Sequence, residues 1–135
     1  MTMKVLASIA AASVILVASA TGAAAGSRYA TAEMTFAVGG DGFCHPVSTA
    51  TWSGYAVHHV QHFYYRDGAY TNWGAYTEIT SGSTAKSGTL VGTSAVRAGP
   101  GEVWTVHLIF RTKGGGRVVE ADSNPVVVPS DCPVP

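Results

Sequence analysis

Charge is what this sequence has least of: charged side chains make up 12% of it, about half the usual share of a soluble domain. Lysine and arginine together number 8, and so do aspartate and glutamate. Nucleic acid and anionic membrane surfaces are bound by an excess of basic side chains that displaces counterions, so neither is an expected partner. Cysteine is nearly absent as well. Cys44 and Cys132 stand far apart with no Cys-x-x-Cys pair, which excludes a thiolate zinc cluster and a dithiol redox motif. No Gly-x-Ser-x-Gly elbow occurs and the acidic residues are scattered over different segments, so catalysis has no recognisable motif and the expectation is a protein that is not an enzyme. Between His58 and His62 stand His59, Val60 and Gln61 with no glutamate, so the helical zinc-hydrolase motif is missing too. No cofactor is expected.

Long apolar runs are also lacking after residue 26, where nothing approaches the roughly 18 residues of a membrane-spanning helix. The exception is at the start. MTMK followed by VLASIAAASVILVASA places one positive charge before an apolar stretch that ends in small residues, the layout of a secretory signal peptide. A signal over residues 1–25, removed at a small-x-small site so that the chain begins between Thr21 and Gly26, implies a secreted, extracellular protein with no membrane insertion after cleavage. Loss of Lys4 with that segment leaves acid in slight excess. About 110 residues remain, enough for one core and one domain: a tail over 26–33 and a folded unit over 34–135. In an oxidising compartment Cys44 and Cys132 are expected to form one disulfide.

What is present is β-pattern. No window has a convincing helical period, whereas alternating apolar residues, β-branched side chains and glycine breaks dominate from Thr35 onward. Strands are expected at 34–38, 47–52, 57–65, 75–80, 88–96, 103–112 and from 117 to 121 continuing toward 128, with a turn at Arg66-Asp67-Gly68. Short strands at this spacing point to an all-β sandwich.

The segment GPGEVWTVHLIFRTKGGGRVVEADSNPVVV resembles the closing strands of a fibronectin type III domain. Pro100-Gly101 matches that family's turn, Trp104 its aromatic position, Gly114 to Gly116 its glycine-rich hairpin and Ser123-Asn124-Pro125 its approach to the last strand. Upstream, Trp52 stands at the family's second-strand tryptophan and FYYRDG looks like its third strand. Spanning Cys44 to Pro129, the resemblance implies a seven-stranded antiparallel β-sandwich of fibronectin type III or immunoglobulin-like type. It also implies that Phe63 and Tyr65 point inward. The family usually has tyrosine at the position of Trp104 and generally lacks a disulfide. Strands that alternate up and down nonetheless bring the turn after the first strand and the end of the seventh to one pole, where Cys44 and Cys132 fall.

The stretch HHVQHFYYRDG, residues 58–68, gathers three of the five histidines with Phe63, Tyr64 and Tyr65. Side chains alternate faces along a strand. With Phe63 and Tyr65 inward, His58, His62 and Tyr64 face outward. In the sixth strand Trp104, Val106, Leu108 and Phe110 form an inward row, which puts His107 outside. His58, His62 and His107 then share a face as a conditional metal site, since neutral imidazole ligates zinc or copper. Tyr64, Tyr70, Trp73 and Tyr76 form a candidate ligand-binding surface, because Tyr and Trp offer large contact area with few torsions to freeze. Arg111, Lys113 and Arg117 around three glycines make a second candidate at a hairpin. The expectation is a secreted single-domain binding module recognising an extracellular protein or glycan. An inhibitor of an extracellular hydrolase, presenting the hairpin, is the alternative, and a small hydrolase the third reading.

Overall fold

Alternation of apolar and polar residues is what builds this protein, and it resolves into strands throughout. The computed structural model describes residues 27–135. The expected signal peptide, residues 1–25, lies outside the described residues. Nine strands follow in order: β1 (Tyr29–Val38), β2 (Cys44–Val57), β3 (His59–Arg66), β4 (Ala69–Tyr70), β5 (Ala75–Glu78), β6 (Ala85–Thr93), β7 (Val103–Arg111), β8 (Arg117–Asp122) and β9 (Val126–Val127), with one short 3-10 turn at Thr80–Gly82. The fold is all-β, as expected. β1 begins at Tyr29, paired with Ser53 of β2, so the segment from 29 to 33 is strand and not tail.

Two antiparallel sheets form. One has the order β1-β2-β6; the other has the order β4-β3-β7-β8, with β5 also on β3 and β9 also on β7. Because β3 pairs with β7 along its whole length, β4 and β5 share its other edge. For the same reason β8 and β9 share the outer edge of β7. The nine strands thus occupy seven positions, and the expected seven strands become nine because two are interrupted. The break between β4 and β5 contains Asn72 at φ 64°. The break between β8 and β9 contains Pro125, which has no N–H to give a ladder.

The core lies between the sheets. Ala32, Met34 and Phe36 of β1 and Ala50 and Trp52 of β2 face Trp104, Val106, Leu108 and Phe110 of β7, all essentially inaccessible. Edge-to-face packing joins Trp52 to Phe110 with ring centroids 5.9 Å apart and Phe36 to Trp104 at 6.4 Å, arrangements that add about 0.5–1.5 kcal/mol each beyond area burial. Trp104 places its indole N–H on Glu102 Oε1 at 3.0 Å, an oxygen that also accepts from the Gly99 N–H at 2.7 Å. An indole can only donate, and Glu102 supplies the acceptor two residues before it. Cys44 and Cys132 are joined as expected, Cα atoms 5.8 Å apart across a separation of 88 residues. A closed loop of that length stabilises by about 4–5 kcal/mol in the chain-entropy picture.

One expectation is reversed. β3 turns Val60, His62 and Tyr64 inward, at 0%, 1% and 0% exposure, and Phe63 and Tyr65 outward. Register explains it: Val60, His62 and Tyr64 lie opposite Phe110, Leu108 and Val106 of β7, and directly opposed residues in an antiparallel pair share a face. The polar groups are tolerated because Ser48 of β2, itself fully buried, meets both. Its Oγ lies 2.7 Å from His62 Nδ1 and 2.6 Å from the Tyr64 hydroxyl, while His62 Nε2 lies 2.8 Å from Thr77 Oγ1 on β5. A consistent assignment has Tyr64 donating to Ser48, Ser48 to Nδ1, and Nε2–H to Thr77. Space for the imidazole comes from Gly92 of β6, where an added methyl would stand 3.1 Å from the ring.

Ser48→Ala would strand the Tyr64 hydroxyl and His62 Nδ1 without partners in the core. At about 1–3 kcal/mol for a buried unsatisfied group, the substitution is expected to destabilise the fold by about 2–4 kcal/mol. Urea unfolding checks it; a loss below about 0.5 kcal/mol would mean that the network is not formed.

Candidate functional site

The reversal of β3 decides what the larger sheet displays. Its outward residues fall into rows fixed by the pairing: Glu78 with His59 and Arg111; Tyr76 with Gln61, Ile109 and Glu120; Phe63 with His107 and Asp122; Tyr70 with Tyr65 and Thr105; and Val103 with Val127. Tyr70 and Tyr76 stand proud at 42% and 55% exposure. Phe63, Tyr65, Gln61 and His107 are half-buried among their neighbours. The rings form two groups: Tyr70 lies 6.0 Å from Phe63 and 5.5 Å from Tyr65, with Phe63 6.4 Å from His107, and further along the face Tyr76 stacks on His59 at 5.0 Å.

Polar groups on this face are held in place by one another. His107 directs Nε2 to Glu120 and Nδ1 to Asp122, each at 2.7 Å, and Arg117 meets the other Glu120 oxygen at 2.7 Å. An imidazolium completes that arrangement with two donated hydrogen bonds, a neutral ring with one. Arg111 donates from Nε to Gln61 Oε1 at 2.6 Å and from its guanidinium to the Gly115 carbonyl at 2.8 Å. At the end of the face His58 and His59 bring their Nδ1 atoms within 2.8 Å, so one carries the hydrogen and the other accepts it. Burial first, then electrostatic repulsion from neighbouring His58 and Arg111, holds His59 below its ordinary value. Desolvation, with the hydrogen bond and charge of Glu78, raises Tyr76.

Each residue singled out in the sequence has its place. Tyr70 and Tyr76 are on this face, Arg111 and Arg117 border it, Lys113 is exposed at the hairpin tip and Trp73, 56% exposed, lies in the connection between β4 and β5. Tyr64 is a correction: it is a core residue and cannot meet a ligand. The shared face of His58, His62 and His107 is a second correction. His62 is sealed between the sheets while His107 points outward from β7, and His58 sits at the bend before β3, its N–H on the Arg111 carbonyl. Among the described residues no group of three or more His, Cys, Asp or Glu is placed to hold a metal ion, and no helix is long and apolar enough to cross a membrane. The reading of the sequence missed Gln61, Phe63, Tyr65, Glu120 and Asp122. Gln61 was the available signal, since an amide is harder to bury than a phenol or an imidazole with a partner.

A second polar cluster lies at the pole near the disulfide. Asp41 accepts from His45 Nε2 at 2.9 Å, from Arg97 Nε at 3.1 Å and from the Phe43 N–H at 3.0 Å, and His45 Nδ1 meets the Val96 carbonyl at 2.9 Å. These partners, His45 foremost, hold the carboxyl far below the usual carboxylate range. The cluster clamps two loops together.

The chain matches no protein-family model, no curated protein and no solved structure with which it was compared. Fold and site therefore stand on the geometry.

Burial pushes His62 down to about 4. In the unfolded chain the imidazole takes up a proton near pH 6.5, whereas the folded protein keeps it neutral until about pH 4. The stability this represents is fully present above pH 6.5 and lost as pH falls to 4, about 3 kcal/mol in all. Glu33, raised by burial, works in the opposite direction over the lower part of that range, because its carboxyl binds a proton more readily folded than unfolded. Urea unfolding at intervals between pH 7 and 4 is expected to show the net loss. A flat profile would contradict a neutral, buried His62.

Proposed function

We propose that the protein is a secreted binding module, a sandwich of fibronectin type III or immunoglobulin-like type, that recognises an extracellular macromolecule through the outer face of its larger sheet. The arrangement of three and four strand positions agrees with the resemblance carried by Trp52, Pro100-Gly101, Trp104 and Ser123-Asn124-Pro125. A disulfide between Cys44 and Cys132 suits an oxidising compartment, and so does the expected signal peptide. The observation that carries the reading is the exposure of Tyr70 and Tyr76 beside Phe63 and Tyr65 on a face where His107, Arg117, Glu120 and Asp122 are already paired. Aromatic side chains of this kind supply most of the affinity in binding surfaces.

Two observations weigh against the other readings. The serine–histidine contact, Ser48 with His62, is enclosed at 0% and 1% exposure, where no substrate reaches it, which disfavours a hydrolase built on that pair. The hairpin between β7 and β8 closes tightly: Thr112 N–H donates to the Gly116 carbonyl at 2.8 Å and Gly115 N–H to the Thr112 carbonyl at 3.0 Å. Such a tip has little reach into an active-site cleft, and the inhibitor reading loses its protruding loop.

The test compares the protein with its Tyr70→Ala/Tyr76→Ala variant for binding to washed cell-surface material and to immobilised extracellular proteins. Binding weakened at least about tenfold by the double substitution is expected, as for two surface hot spots. Equal binding by both, or binding lost instead in Lys113→Ala, would overturn the assignment to this face.

A further inference from the structure

We infer that the outer face of the larger sheet is a platform for an uncharged polysaccharide, laid along β3 between Tyr76 and Tyr70. This rests on the proposed function and names its ligand class. Charge is the first ground. Arg117 is neutralised by Glu120, His107 lies between Glu120 and Asp122, and Arg111 is committed to Gln61 and the Gly115 carbonyl. The face also carries Glu78, and its charges nearly cancel: Arg111 and Arg117 stand against Glu78, Glu120 and Asp122, so no field of one sign attracts a strongly acidic or basic partner.

The distribution of ring and polar atoms is the second ground. In a dry protein–protein interface the apolar residues occupy the centre and charge is pushed to the rim. Here the two kinds of group are mixed within single rows: Tyr76, Gln61, Ile109 and Glu120 in one, and Phe63, His107 and Asp122 in the next. Pyranose rings present apolar C–H faces that stack on aromatic rings, with hydroxyls around the edge that need donors and acceptors of fixed direction. Gln61 meets that need, its oxygen held by Arg111 so that its NH2 is left to donate. Glu120 and Asp122 are oriented by His107, and each carboxylate keeps acceptor capacity beyond the bonds it makes. Phe63 and Tyr65 floor the space between.

Length is the third ground. Tyr76 lies in the row of Gln61 and Tyr70 in the row of Tyr65, an offset along β3 of about 13 Å at the rise of a strand. Two stacking stations so far apart fit an extended chain of several sugars, and a single sugar meets only one of them.

Affinity electrophoresis in gels containing hydroxyethylcellulose, arabinoxylan or galactomannan, with heparin as the anionic comparison, tests the inference. Migration slowed by at least one of the neutral polymers is expected, with an apparent Kd raised about tenfold or more by Tyr70→Ala and by Tyr76→Ala separately. Gln61→Ala should weaken it also, and Thr89→Ala, on the outer face of the other sheet, should not. No slowing by any neutral polymer, slowing by heparin alone, or slowing indifferent to the three face substitutions would overturn it. Light scattering that shows a dimer dissolved by Tyr70→Ala would assign the face to a second copy of the chain and overturn it as well. Binding to cell-surface material that depends on Tyr70 and Tyr76, without any slowing in these gels, would leave the binding module standing and remove the polysaccharide.

Discussion

A single serine hydroxyl in the core sets the character of this protein. Ser48 Oγ stands within 2.7 Å of both the His62 ring and the Tyr64 hydroxyl. Those contacts let β3 bury a histidine and a tyrosine where two aliphatic residues would otherwise be required. A buried polar group without a partner costs more than most single packing contacts return, so β3 faces inward on this side only while Ser48 is opposite. Because Ser48 belongs to β2 and its partners to β3, the bond also ties one sheet to the other. His62 extends the tie to Thr77, on the edge strand β5 that carries Tyr76 to the surface. The identity of the outer face follows from this core contact, since turning His62 and Tyr64 in turns Gln61, Phe63 and Tyr65 out.

How far the sequence was legible differs from strand to strand. In β7 the row Trp104, Val106, Leu108 and Phe110 alternates strictly with Thr105, His107 and Arg111, and its inward face was readable without the structure. The cysteine pair was readable from compartment and number. In β3 the two faces are nearly matched: His58, Val60, His62 and Tyr64 against His59, Gln61, Phe63 and Tyr65. The resemblance to fibronectin type III domains favours the second set through Phe63 and Tyr65, and it misleads. The deciding quantity is a hydrogen-bond partner on another sheet, Ser48, whose position opposite β3 is a tertiary fact. The metal reading failed for the same reason, since His62 was placed on the wrong face, while His58 sits at the bend before β3. The carboxylates around His107 escaped notice because β8 reaches them only through register with β7.

Low charge takes on a more specific meaning in the folded protein. Several of the few charged groups are spent in small clusters: Asp41 with His45 and Arg97 at one pole, Glu102 with Trp104 and Arg66 beside the corner of β7, and Glu120 with His107 and Arg117 on the outer face. What the larger sheet offers to solvent is accordingly rings and fixed hydrogen-bonding groups with little net field. The outer face of the smaller sheet presents hydroxyls, among them Thr49, Thr51 and Thr89, with Thr51 and Thr89 within 3.5 Å. The two faces thus differ in kind, one aromatic and one hydroxylic, although they belong to the same thin sandwich.

The orientation of β3 is the claim on which the site depends, and hydroxyl-radical footprinting read by mass spectrometry tests it at neighbouring residues of one strand. The account predicts that Phe63, Tyr65, Tyr70 and Tyr76 are labelled while Tyr64 between them, with Trp52 and Trp104, is protected until the protein unfolds. Labelling of Tyr64 together with protection of Phe63 and Tyr65 in the folded protein would contradict it.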